Sequence, residues 1–150
     1  MDDNLCMRLA IKEGLKACRE DEVPIGAIIV KDNVIIAKAH NKRNSSKIAT
    51  HHAEILAIEK ACKKIGDWRL EGATIYVTLE PCPMCAGAIA NSRIKKLVFG
   101  AYDTSAQNKT ILNTILNDTR LNHKVEILGG VLDETCSEML TGFFQKKRNK

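Results

Sequence analysis

Residues 74–85 read T-I-Y-V-T-L-E-P-C-P-M-C. The first six are apolar, aromatic or β-branched, which is how a buried strand is written. Pro81 and Pro83 stop that strand, and proline suits the first turn of a helix. Residues 86–91, A-G-A-I-A-N, extend the turn into a helix rich in alanine and glycine. A strand therefore runs directly into a helix, and the rest of the chain repeats the pattern.

Upstream, Met7, Ile11, Leu15 and Cys18 recur at helical spacing, so residues 4–20 are expected to be a helix. Residues 25–30 and 34–39 are apolar runs separated by Lys31, Asp32 and Asn33, the pattern of a hairpin. Residues 41–50, N-K-R-N-S-S-K-I-A-T, read as a polar loop. Ile55, Ile58, Cys62 and Ile65 form a second helical stripe that ends at Gly66. Downstream, residues 96–100 and 124–128 read as strands and residues 110–117 as a helix. Leu132, Cys136, Met139, Leu140, Phe143 and Phe144 mark a closing helix. The order α-β-β-α-β-α-β-α-β-α implies a largely parallel sheet from residue 52 onward, with the first hairpin adding an antiparallel pair. The expected fold class is α/β: a three-layer α/β/α sandwich around a five-stranded mixed sheet.

The chain has 150 residues, a length that fits one domain spanning 1–150. It is 45% hydrophobic and 27% charged, as soluble globular proteins are, and its 4% aromatic content predicts an aliphatic core. The first residues, Met1-Asp2-Asp3-Asn4, lack the basic start and apolar core of a signal peptide. No apolar run approaches the ~20 residues of a membrane span. The cytoplasm is the expected location, and six reduced cysteines fit it. Cys6, Cys18, Cys62 and Cys136 fall in helical apolar patterns and are expected to pack in the core. Only Cys82 and Cys85 lie close together. The net charge is +5, and Lys146, Lys147, Arg148 and Lys150 supply four of it within a terminal stretch that has no acid. Such a tail fits an anionic partner such as RNA, and on charge alone it fits a frayed, solvated terminus better.

Cys82 and Cys85 stand at i and i+3, so both sulfurs share one face of one turn. A helix N-terminus favours negative charge and lowers thiol pKa. Two thiolates there make half of a tetrahedral zinc site. T-H-H-A-E-I, residues 50–55, heads the preceding helix. In mid-helix His52 and Glu54 would diverge by about 200°, but at a helix tip both can face what lies beyond it. Helices that follow successive strands of a βαβ unit can start at the same sheet edge. That would bring His52 to Cys82 and Cys85. Three protein ligands leave a fourth position open, the pattern of catalytic zinc, and Glu54 is then the carboxylate beside a metal-activated water. C-x-x-C alone also fits a structural zinc site, with His51 or Cys62 as fourth ligand, or a redox dithiol. H-A-E followed by P-C-P-M-C favours catalytic zinc.

These motifs, with E-V-P-I-G-A-I-I-V, A-H-N-K-R-N, D-W-R-L, S-R-I-K-K-L-V-F-G-A-Y-D, L-N-H-K-V-E-I and F-F-Q-K-K-R, resemble in order the bacterial tRNA-specific adenosine deaminases. These belong to the zinc-dependent cytidine/deoxycytidylate deaminase superfamily. The resemblance runs over residues 4–148. It implies a cytidine-deaminase-like fold and hydrolytic deamination of the wobble adenosine of a tRNA anticodon to inosine. It implies one Zn2+ per chain held by His52, Cys82 and Cys85, with Glu54 as proton shuttle. It also implies substrate contacts from Asn41, Ile25 and Asp103, a homodimer, and RNA contacts from both subunits. Bases of an anticodon loop splay out, so the target is not extracted from a duplex. Lys42, Arg43 and the basic tail are candidates for phosphate, and Phe143-Phe144 for stacking. The chain departs from the family at residues 104–112, T-S-A-Q-N-K-T-I-L, which lack the family's glycines. The alternatives are a guanine deaminase or another free-nucleobase deaminase, and a non-catalytic zinc-stapled RNA-binding module. A nucleoside cytidine deaminase usually has cysteine where His52 stands.

Overall fold

The computed structural model describes residues 1–104 and 111–149. The elements in chain order are α1 (Asp3–Arg19), β1 (Gly26–Lys31), β2 (Val34–His40), α2 (Arg43–Ser46), α3 (Ala53–Ile65), β3 (Thr74–Leu79), α4 (Pro83–Asn91), β4 (Lys96–Ala101), α5 (Ile111–Leu116), β5 (Glu126–Leu128) and α6 (Asp133–Arg148). The five strands form one sheet in the order β2-β1-β3-β4-β5. β1 pairs antiparallel with both β2 and β3, and β3, β4 and β5 run parallel. The expected mixed sheet is therefore present, with the hairpin inserted through β1. Asp32 and Asn33 make the hairpin turn, both at positive φ (51° and 63°). This suits the two-residue turn whose twist matches that of the strands.

Side-chain alternation along the strands divides the core in two. Ala27, Ile29, Ile75, Val77, Leu97 and Phe99 face α3, α4 and α5. Ile28, Tyr76 and Val98 face α1 and α6. Cys6 and Cys136 are fully buried in that second layer, whereas Cys18 and Cys62 are only half-buried. The stripe that α3 presses onto the sheet is Ala53, Ala57 and Ala61, each fully buried. Ile58, Cys62 and Ile65 flank it, and Ile55 is half-buried. Large apolar residues advertise the helix in the sequence, but small ones let its backbone approach the strands. Gly66 at φ 75° closes α3 in the left-handed conformation that glycine adopts freely.

Two expectations are corrected. The polar stretch 41–50 is not all loop, since it contains the single turn α2. The basic tail is not frayed within the described residues, because α6 continues to Arg148 and Lys147 pairs with Asp21 at 2.7 Å. Of the paired phenylalanines, Phe143 is buried and Phe144 is exposed. Residues 105–110 of the glycine-free stretch lie outside the described residues. No helix among those described is long and apolar enough to cross a membrane.

α1 crosses β1 closely at Gly26. A Cβ there would come within 2.5 Å of the Gly14 backbone nitrogen and would overlap the Ala10 carbonyl oxygen. These are backbone atoms that cannot rotate aside. Gly26→Ala is therefore expected to cost about 3–5 kcal/mol by separating helix from sheet. Urea unfolding measures it, and a loss below about 1 kcal/mol would show that α1 can shift.

Candidate active site

β2 and β3 are both antiparallel to β1 and so run in the same direction. α3 and α4, the helices beyond them, consequently begin at the same edge of the sheet. His52 is the N-cap of α3 and Cys82 the N-cap of α4. N-caps are ordinarily Ser, Thr, Asp or Asn, whose side chains bond back to the helix. Neither His52 nor Cys82 does so. Their side chains point toward each other instead. His52 Nδ1 lies 3.6 Å from Cys82 Sγ and 3.6 Å from Cys85 Sγ. The three donor atoms lie within 4.8 Å of one another, the one group of this kind among the described residues.

The geometry and donor chemistry fit zinc. Bonds of about 2.3 Å to sulfur and 2.0–2.1 Å to nitrogen give a tetrahedron sulfur–nitrogen edges near 3.6 Å. Both such edges here are 3.6 Å. The expected juxtaposition of the two helix tips is thus observed. His51 and Cys62 do not join the group. The Cys62 thiol instead faces the Trp68 carbonyl oxygen, 3.7 Å away.

Electrostatics at the site come from burial and from hydrogen bonds and charges among the neighbouring groups. A hydrogen bond from Cys85, aided by His52, holds the Cys82 thiol down to about 4 against the opposing effect of burial. The Cys82 sulfur and then burial push the Cys85 thiol far above its usual range. Hydrogen bonding to Cys82 favours the protonated form of His52. Glu54, at the second position of α3, is 4% exposed. Burial pushes its carboxyl up to about 7, and it hydrogen-bonds to Cys85. A carboxyl near neutrality can accept and return a proton at physiological pH.

Beside this group lies a cavity of about 240 Å3 lined by Val23, Ile25, Asn41, Arg43, Asn44, His52 and Ala53. The fold brings Ile25, Asn41 and His52 together around one cavity. Asn41 is buried, and its Oδ1 accepts the Arg43 N–H at 3.1 Å while its Nδ2 donates to the Val23 carbonyl at 3.3 Å. It serves its own loop, and its second N–H and second oxygen lone pair are left for another partner. Asp103 does not join this cavity. It lines a separate crevice of about 560 Å3 with Glu80, Tyr102 and Leu112. The Glu80 carboxylate accepts the Asp103 N–H at 2.9 Å, which gives that strand-end acid a structural task. His40 bridges Glu13 and Glu20, and His123 meets the Ile94 carbonyl. Val23 and Asn44 were not singled out from the sequence. Their signal is spatial, since residues 22–25 and 41–45 meet only in the fold.

The chain matches the MafB19-like deaminase family model over residues 1–148. It is 52% identical over 148 residues to the tRNA-specific adenosine deaminase of Bacillus subtilis (strain 168), covering 99% of this chain and 92% of that protein. A solved tRNA:A34 deaminase, from work on A-to-I editing at the wobble position of transfer RNA, superposes with a TM-score of 0.83 at 37% identity. That match covers 91% of this chain and 99% of the other. The guanine deaminase of Bacillus subtilis superposes less closely, with a TM-score of 0.67 at 31% identity, covering 100% of this chain and 96% of that one.

Proposed function

The chain belongs to the MafB19-like deaminases and, among them, to the family of tRNA-specific adenosine deaminases; on that premise we propose that it hydrolyses the exocyclic amine of the wobble adenosine in a tRNA anticodon, leaving inosine and ammonia. The observation that carries this is the His52–Cys82–Cys85 group with buried Glu54, opening beside the cavity of Ile25 and Asn41. His52, Cys82 and Cys85 would hold one Zn2+ per chain and leave its fourth position open. When bound, the metal supplies a Lewis acid that makes a water acidic at neutral pH.

The chain's own residues do the rest. A Glu54 carboxylate oxygen takes the proton of the attacking water and passes it to the ring nitrogen beside the reacting carbon. That carbon becomes more electrophilic, and the new C–O bond forms as the ring C=N electrons move to nitrogen. Glu54 then takes the remaining proton of the added hydroxyl and gives it to the amine; the C=O bond of inosine forms as the C–N bond breaks, and ammonia departs. Ile25 packs against the base, and the spare amide hydrogen and lone pair of Asn41 bond its edge. Arg43, at the cavity mouth, and the basic end of α6 suit the phosphates. One domain over residues 1–150, a homodimer and a cytoplasmic location complete the proposal. The single sheet supports the first, and the family resemblance supports the other two.

Ammonia release from unmodified tRNA and from free guanine, measured side by side, separates the two chemistries that share this site. Release from tRNA, weakening as salt rises, is expected. Release from guanine alone would overturn the tRNA assignment. Asn41→Ala is expected to lower kcat/KM for tRNA by about 10–100-fold, and parallel initial-rate measurements check it.

A further inference from the structure

Glu22 stands behind the mouth of the cavity and is not among its lining residues. It is 1% exposed. Its two carboxylate oxygens are taken by backbone: Oε1 accepts the Asn44 N–H at 3.0 Å and Oε2 the Ser45 N–H at 2.6 Å. Burial opposes ionisation of this carboxyl, and the Ser45 and Asn44 groups outweigh that opposition and hold it below the usual carboxylate range. A buried carboxylate is costly unless fully bonded, so what this one holds is specific.

Two further bonds join the same two segments, and a third stiffens residues 41–43. The Ile25 carbonyl accepts the Asn41 N–H at 3.0 Å, the Val23 carbonyl accepts the Asn41 side-chain amide, and Asn41 Oδ1 accepts the Arg43 N–H. Apart from the Lys42 N–H bond to the His51 carbonyl at 3.1 Å, the segment so fastened is loosely anchored. Arg43, Asn44 and Ser45 are exposed, and α2 buries none of its residues. Little apolar area keeps it in place, so its position depends on these bonds rather than on the core. Glu22 and Ser45 are the members of the fastening outside the cavity wall, and of the two it is Glu22 whose side chain receives both N–H groups.

We infer that Glu22 is a positioning residue for substrate: it clamps residues 41–45 against residues 22–25 and thereby places Asn41 and Arg43 at the cavity mouth. This rests on the assignment of that cavity to the tRNA adenosine. Glu22 touches neither the base nor the reacting atoms, so its removal acts on binding more than on the chemical step. Gln at this position keeps one acceptor oxygen, and Ala keeps none.

The test compares Glu22→Ala and Glu22→Gln with the wild type as zinc-loaded full chains. In the alanine variant, KM for unmodified tRNA is expected to rise about tenfold while kcat stays within about threefold, with glutamine between. Zinc content is expected to remain one per chain. Amide exchange at Asn44 and Ser45 is expected to quicken at least about tenfold. Unchanged KM and unchanged exchange in both variants would overturn the clamp. So would a loss confined to kcat and zinc content. Wild type that turns over no tRNA would refute the substrate assignment instead, and unchanged amide exchange in the variants would then still overturn the clamp.

Discussion

Glu54→Ala is expected to lower the rate of inosine formation by about 10^3-fold while zinc content and fold are retained. Three observations set this expectation. Glu54 is buried, it sits at the tip of α3 beside the three donor atoms, and burial holds its carboxyl near 7. Proton transfer by a positioned side chain contributes about 10^2–10^4-fold. Here one group moves a proton twice, onto the ring nitrogen and onto the leaving amine, which places the loss in the upper half of that range. The substitution removes a buried carboxyl whose ionisation its surroundings oppose, so thermal stability is not expected to fall with activity. Rates from a stopped time course, with metal analysis on the same samples, check it. A residual rate within tenfold of the wild type would show that another group carries the proton. A loss of zinc alongside the rate would make Glu54 a contributor to metal binding.

The second large effect concerns Cys85, which is fully buried on the first turn of α4. Cys85→Ala removes one of three donors and leaves a side chain small enough to fit the same space. Zinc content is expected to fall from one per chain to a few per cent, and deamination below detection. Stability reports the same event by mass action. A metal present at 1,000 times its Kd stabilises the folded chain by about 4 kcal/mol, so a chelator should lower the Tm of the wild type and leave that of the variant unmoved. His52→Ala is expected to behave in the same way, because its Nδ1 lies equally close to both sulfurs. A redox dithiol would give a different pattern, in which loss of His52 leaves chelator sensitivity and metal content untouched. Equal chelator response in the wild type and both variants would rule out the metal centre.

The centre was legible in the sequence because its chemistry is local. Cys82 and Cys85 are one helical turn apart, His52 and Glu54 straddle a helix start, and proline marks where the second helix begins. Strand β3 falls on residues 74–79, as read from its β-branched run. What joins the two halves is the direction of strands, and alternating strands and helices dictate that with few exceptions. Other features depend on contacts between distant residues and leave no local trace. The alanine face of α3 is silent in a hydrophobicity pattern, since alanine neither demands burial nor forbids exposure. The turn α2 is written Arg-Asn-Ser-Ser, whose Asn and Ser favour loops, and it forms because Glu22, over twenty residues upstream, receives its N–H groups. The resemblance names Asn41, Ile25 and Asp103 together. The fold puts the first two in one cavity and Asp103 in a separate crevice that Glu80 also lines. The sequence pattern does not resolve that division.

The most direct measurement is sequencing of DNA copied from an unmodified tRNA with adenosine at the wobble position, after incubation with the zinc-loaded protein. Inosine pairs as guanosine, so conversion reads as A-to-G. Conversion at that one position, absent in Glu54→Ala, is the expected result. An unchanged wobble adenosine, from protein that is folded, zinc-loaded and releasing ammonia from free guanine, would contradict it.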